Sequence, residues 1–286
     1  DAGKLPNLAA LAAQGSFRNI EVRGHVTVTR PGHAEMLTGL RARDSGVYSN
    51  RRFGPIPEGC TLFERVKESP GGRGGVRTIM VSGSFGNVGA REPLFSGRPA
   101  PSARAKSGGG GGARRLNANA PFYQASRTLD VLDAAPRGAA ATGALCLNYL
   151  ERFHSPRFAA FFHFADTDHA GHKRGSASQE YRQAAMRQDV WLGRIAAWLR
   201  EQDLERNTLI YVMADHGFQR NSRGHAYAPH SWLATNDKTV IRGGILADVP
   251  ATILAHYGVN TRELQPRLIG YPLSLPKSAI APGDRA

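Results

Sequence analysis

Two stretches of the chain are apolar or β-prone at almost every position. One is Phe158 to Phe164; the other, Asn207 to Met213, is bounded by charge on one side and leads toward Gly217 on the other. Short runs of this kind predict buried strands. Ser16 to Val22 and Val76 to Ser82 read as strands as well. Helical spacing marks Pro6 to Gly15, with Pro near the start and Gly at the stop, and a second helix opening around Pro31 and ending at Gly39, with Thr29 at or beside its N-cap. Further helices are predicted from about Tyr123 to Leu132, Thr142 to Phe153 and Gln179 to Gln202, and a last one closes at Ile253 to Gly258. Strands alternating with helices predict an α/β fold, a mostly parallel sheet with helices on both faces. Residues 1–286 read as one domain without an internal repeat.

Composition supports a real core and narrows the class. The chain has 286 residues, of which 41% are hydrophobic, enough for one large α/β domain. No apolar run approaches the roughly 20 residues needed to cross a bilayer, and no basic segment followed by an apolar stretch opens the chain. The net charge is +14, from 37 Lys and Arg against 23 Asp and Glu. These cations are mostly Arg and scattered, which reads first as compositional bias with a preference for anionic substrates and only second as a nucleic-acid surface. Cys60 and Cys146 make neither a metal-type pair nor a disulfide framework. About 98 to 115 the chain is rich in Pro, Ser and Arg and contains the glycine run Gly108 to Gly112; such a segment buries too little apolar surface to offset its ordering entropy and reads as a flexible surface insertion.

The chemistry lies where the apolar runs end. Asp215-His216-Gly217 follows one of them, at the carboxyl edge where open α/β sheets bind ligands. The other runs into Asp166-Thr167-Asp168-His169-Ala170-Gly171-His172. Asp168 and His172 are four apart, a spacing that brings both onto one face of a helical turn and suits joint ligation of a cation. Gly224-His225-Ala226-Tyr227-Ala228-Pro229-His230 offers a further imidazole. The set Asp168, His172, Asp215, His216 and His225 suits zinc and admits manganese or iron. It exceeds one tetrahedral site and suggests two metals roughly 4 Å apart, a clamp for phosphoryl transfer.

These motifs, in this order over almost the whole chain, resemble the alkaline phosphatase superfamily and, within it, the type I phosphodiesterase/nucleotide pyrophosphatase family. The resemblance implies an alkaline-phosphatase-like catalytic domain and two divalent metal ions, zinc before manganese. One metal falls to Asp168 and His172 with a later His, for which His225 and His230 are rivals; the other falls to Asp215 and His216. Thr29-Arg30-Pro31-Gly32-His33 matches the family's nucleophile segment, so Thr29 is the implied nucleophile, and Asn50 is the implied donor to a phosphoryl oxygen. Hydrolysis of phosphodiesters or pyrophosphates through a phosphothreonine is the reaction expected, on a small phosphate ester such as a nucleotide. The family also uses an Asp at the end of a first strand. Asp1-Ala2-Gly3 matches it poorly, so that strand is expected upstream, with Asp1 as the alternative ligand.

Three other readings belong beside this one. Phosphoethanolamine-type transferases and phosphomonoesterases share the superfamily, whereas the Cys/Ser-x-Pro-x-Arg pattern of sulfatases is not found at Thr29 to His33. A basic module that binds anionic polymers is the reading from another class, and the acid clusters at the strand ends oppose it. Phe85 to Phe122 is expected to form part of a substrate pocket or a lid. Relatives are often extracytoplasmic, and the sequence does not fix the oligomeric state.

Overall fold

The computed structural model describes residues 3–70, 72, 75–84, 94–95, 118–154 and 157–280. Its elements in chain order are α1 (Pro6–Gln14), β1 (Ser16–Glu21), α2 (Thr29–Thr38), α3 (Ala42–Ser45), α4 (Leu62–Glu68), β2 (Val76–Ser82), β3 (Leu94–Phe95) and β4 (Val131–Ala134), followed by α5 (Ala139–Phe153), β5 (Arg157–His163), α6 (Asp166–Arg174), α7 (Gln179–Glu201), β6 (Tyr211–Met213), β7 (His230–Thr235), β8 (Gly244–Ile245) and α8 (Asp248–His256). The expected alternation of strand and helix is present. The strands, however, are divided between two four-stranded sheets.

In the first sheet β2 lies between β4 and β5 and runs parallel to both, with β3 antiparallel on the outer side of β4. Side chains of β2 alternate between two cores. Val76 and Met80 join the cluster that contains Leu37, Phe63 and Phe122, while Ile79 and Val81 join the cluster of Cys146, Tyr149 and Trp198. A strand covered on both faces needs apolar residues at consecutive positions, which is why this run has no polar alternation. The second sheet is mixed. β7 is antiparallel to β6 and β1, and β8 is parallel to β1.

β5 and β6 are outer strands of their respective sheets. Their side chains nevertheless share cores: Phe161, Tyr211 and Met213 pack against one buried cluster, and Phe158, Phe162 and Ile210 against another. The two sheets therefore abut along these strands, and the loops that follow β5 and β6 come together.

Some expectations are corrected. Tyr123 to Leu132 is not a helix; it holds one short turn at Ala125–Arg127 and then runs into β4. Leu129, Val131 and Leu132 are all buried, as a strand with both faces covered requires. The strand read over Asn207 to Met213 shrinks to β6, because Glu205–Asn207 forms a turn and the Ile210 amide donates to Asn236 Oδ1 at 2.8 Å. Phe122, assigned to a pocket or lid, is a core residue with 1% exposure. The insertion about 98 to 115 and Asp1 lie outside the described residues. Cys60 and Cys146 are buried free thiols in separate cores. Among the described residues no helix is long and apolar enough to cross a membrane.

Candidate active site

Thr29 is the first residue of α2, after an extended Val28 at the N-cap. The first turn closes through Gly32 N–H to Val28 O at 3.2 Å. Gly32 is where this helix meets the end of β6: a Cβ there would lie 2.9 Å from Asp215 O and 3.1 Å from Asp215 Cβ. Glycine thus permits a close approach that brings Thr29 Oγ1 to 3.4 Å from His216 Nε2. His216 Nε2 is in turn 3.5 Å from Asp215 Oδ2.

Asp168 and His172 lie on α6, which extends over 9 residues where the sequence suggested a single turn. Their one-turn spacing places His172 Nε2 3.4 Å from Asp168 Oδ1. His225 arrives from the loop before β7, with Nε2 3.0 Å from His172 Nε2 and 3.8 Å from Asp168 Oδ1. His230, the rival, is exposed at the first position of β7, in register with Glu21 of β1. The two predicted ligand groups adjoin. The His216 and His225 rings stack at 4.0 Å and 25°, and ligand atoms of Asp168, His216 and His225 all lie within 4.8 Å of one another.

The protonation pattern of the three imidazoles follows from their partners. Nδ1 of His172 faces Arg223 O at 2.8 Å, Nδ1 of His225 faces Thr27 O at 2.6 Å, and Nδ1 of His216 faces Gly217 O at 2.9 Å. A carbonyl oxygen only accepts, so each Nδ1 carries a hydrogen, and in the neutral form of each ring the lone pair is on the Nε2 that faces the other ligands. Lone pairs at 3.0 Å repel unless an electrophile lies between them. Among the described residues, buried Asp168 Oδ1 and Asp215 Oδ2 have no hydrogen-bond partner. Burial, then the nearby Asp168 charge, pushes the Asp215 carboxyl up against the opposing pull of His216. Burial also lowers the His225 pKa, with His216 adding to it. Inward lone pairs with two unsatisfied carboxylate oxygens fit a divalent cation, and the backbone carbonyls behind the rings fix their orientation.

Asn50 sits at the tip of the turn after α3. Its Oδ1 accepts from the backbone N–H of Arg30, the residue after Thr29, at 2.9 Å, which leaves the amide nitrogen as the donor end of the side chain.

A model of the family described as type I phosphodiesterase / nucleotide pyrophosphatase matches residues 1–267. The chain belongs to that family. A comparison with curated proteins finds no match. Among solved structures, this phosphodiesterase-family chain is similar to a protein in complex with its substrate D-glucosamine-2-N,6-O-disulfate, at 12% identity and TM-score 0.61, covering 94% of this chain and 74% of that one. A Bacteroides thetaiotaomicron structure described with glycosaminoglycan metabolism aligns at 13% identity and TM-score 0.60, with 94% and 68% covered. The phosphonate monoester hydrolase of Silicibacter pomeroyi aligns at 15% identity and TM-score 0.53, with 98% and 73% covered. These likenesses show an alkaline-phosphatase-like fold, and the family is one of hydrolases acting on phosphoric esters.

Several residues of this phosphodiesterase-family site escaped the sequence reading. The Thr27 hydroxyl donates to His225 O and accepts from Ala228 N at 3.3 Å, tying the nucleophile loop to the His225 loop. His33, noted only as part of the helix start, is buried with Nε2 3.8 Å from Asp215 Oδ2 and its ring edge-on to His163 at 4.5 Å. His25 Nε2 meets Glu35 Oε2 at 2.7 Å in a second buried acid-imidazole pair, and Glu35 also accepts from Ala247 N at 3.1 Å. His25 lies in the loop before α2 and Glu35, ten residues on, lies within that helix, so neither strand nor helix periodicity marks them as partners.

Proposed function

We propose that the chain hydrolyses small phosphoric esters, diesters or pyrophosphates, with Thr29 as nucleophile and Asn50 as a donor to the phosphoryl group. Two divalent cations, zinc before manganese, would be held by Asp168, His172 and His225 and by Asp215 and His216, with His216 shared toward the first group. The observation that carries this reading is the convergence of three inward Nε2 lone pairs and two unsatisfied carboxylate oxygens beside the Thr29 hydroxyl. Bound cations would supply Lewis acidity, neutralising phosphoryl charge and easing loss of the Thr29 proton.

The residues then divide the work. Thr29 Oγ1 bonds to phosphorus as the ester alcohol departs and takes up a proton, leaving a phosphothreonine that water cleaves to restore the hydroxyl. The amino end of α2 stabilises the incoming phosphate through its dipole. Asn50 donates to a phosphoryl oxygen as charge builds on it, and its bond to the Arg30 N–H orients it in advance. At the fourth position after Thr29 stands His33 where the sulfatase pattern has Arg, which favours phosphoric over sulfuric esters.

Thr29→Ala tests the assignment. The variant is expected to bind the same amount of zinc as the parent, measured by elemental analysis, and to lose turnover of bis(4-nitrophenyl) phosphate by at least roughly a thousandfold. Retained turnover would remove Thr29 from its role. Parallel assays with 4-nitrophenyl phosphate, and with an added alcohol as acceptor, separate diesterase from monoesterase and transferase action.

A further inference from the structure

The turn that presents Asn50 carries more positive charge than one phosphoryl oxygen needs. Val47 and Phe53 bridge in antiparallel fashion, and the amides of Tyr48 and Ser49 donate to Arg52 O at 2.9 and 3.0 Å. Ser49 Oγ accepts from the amides of Arg51 and Arg52 at 3.2 and 2.9 Å. The turn is closed by its own backbone, so the positions from which its side chains project are set before any ligand arrives.

Two guanidinium groups at this turn, one from the turn itself and one from α2, are held by aromatic rings. Arg52 lies over Tyr48 at 4.2 Å from the ring centroid, and Arg30, the residue after Thr29, lies over Phe53 at 3.9 Å. The Arg30 guanidinium also donates to the Asn50 carbonyl. A ring face fixes the plane of a guanidinium group without itself neutralising the charge. Arg51 and Arg52 are exposed, and neither forms an ion pair among the described residues. Three arginines thus flank Asn50, two of them oriented by rings.

We propose that Arg30, Arg51 and Arg52 form an anion subsite that receives a second negatively charged group, a carboxylate or phosphate, on the alcohol that stays bonded to phosphorus when the leaving group departs. Arg30 adjoins the nucleophile in the chain, so this group lies a few bonds from the phosphorus that reacts. Planar guanidinium forks suit both anions. The preferred substrates are then phosphoric esters with an anionic alcohol moiety, and neutral aryl or alkyl esters are poor ones. The inference rests on the reading of Thr29 and Asn50 as the phosphoryl site.

Three 4-nitrophenyl phosphodiesters test it, sharing the leaving group and differing in the second alcohol: propanol, 3-hydroxypropanoate or 2-hydroxyethyl phosphate. The parent enzyme is expected to show a KM roughly tenfold lower for the charged esters than for the propyl ester, as one charge-assisted contact would give. The R51A/R52A variant should lose that preference while kcat/KM for the propyl ester stays within about twofold. The carboxylate and phosphate arms show which anion is favoured. Equal losses on all three esters, or no preference in the parent, would overturn the subsite. The same esters are titrated by calorimetry against T29A protein, which requires no turnover. A charged-ester preference there that survives R51A/R52A also refutes it, whereas failure of hydrolysis with that preference present and arginine-dependent refutes the catalytic reading alone.

Discussion

His163, the last residue of β5, is an imidazole that the fold keeps neutral. Burial, followed by the charge of His169, drives its pKa from 6.5 to about 4. Its Nδ1 is 2.8 Å from Ser82 Oγ, and its ring meets His33, whose pKa burial and the neighbouring His163 and His216 hold well below the usual range. The sign follows from proton counting. Between pH 6.5 and about 4 the unfolded chain protonates this imidazole and the folded chain does not, so stability is complete above 6.5 and falls as the pH drops. One such group is worth up to roughly 3 kcal/mol across that span. His163→Asn keeps an amide for Ser82 and removes the titration. The difference in unfolding free energy between parent and variant, from urea titrations with chelator present, should be flat from pH 8 to 6.5 and then shift toward the variant down to pH 4. A difference independent of pH would show that His163 titrates normally in the folded state.

At the scale of elements, α1 is fastened from outside. Its N-cap residue Leu5 makes no side-chain bond; instead Asp189 of α7 accepts from Asn7 N at 3.1 Å, Leu8 N at 2.8 Å and Asn7 Nδ2 at 2.9 Å. A carboxylate on the amino end of a helix satisfies open donors and favours the dipole. Asp189→Ala should lower the unfolding free energy by about 1 to 3 kcal/mol and leave kcat unchanged, since α1 carries no residue of the site; a parallel fall in kcat would tie α1 to catalysis. The apolar runs and Pro/Gly punctuation made α1, β2 and β5 legible in the chain. β4 is not legible in the chain, because its buried residues show no period that distinguishes a short strand from a helix. α6 was read as one turn because its polar residues leave no apolar stripe, and it is held by tertiary packing instead: a Cβ on Gly171 would come within 2.5 Å of the Phe218 ring. The site was legible in part for a similar reason. Asp168 and His172 share a helix, and spacing reveals them. The stacking of His216 on His225 and the contact of His33 with His163 exist only after separate loops meet.

Across the whole molecule, four segments far apart in sequence meet where the two sheets abut: the start of α2, α6 after β5, the end of β6, and the loop before β7. Their meeting buries Asp215, which raises its pKa, and brings the Asp168 charge near enough to add to that rise; it also sets His172 and His225 with their Nε2 atoms facing. Without a cation this arrangement opposes itself; with one, the same groups become ligands, and cation affinity adds to folding stability. The net charge of +14 favours arrival of anionic substrate but does not offset this local repulsion, since the cations are scattered over the chain. Removal of divalent ions by a chelator is therefore expected to abolish hydrolysis and lower the urea midpoint together, and added zinc should restore both. Stabilisation follows the ratio of free zinc to Kd, about 2.7 kcal/mol at a hundredfold excess over Kd. Two variants make the reading specific. His225→Ala should lose most of the zinc-dependent stabilisation, because it removes an inward Nε2, whereas Asn50→Ala should keep it while losing activity. Zinc-independent stability in the parent, or full zinc stabilisation in His225→Ala, would mean that these loops are held together by packing and hydrogen bonds, and that the converging acids and imidazoles are not a cation site.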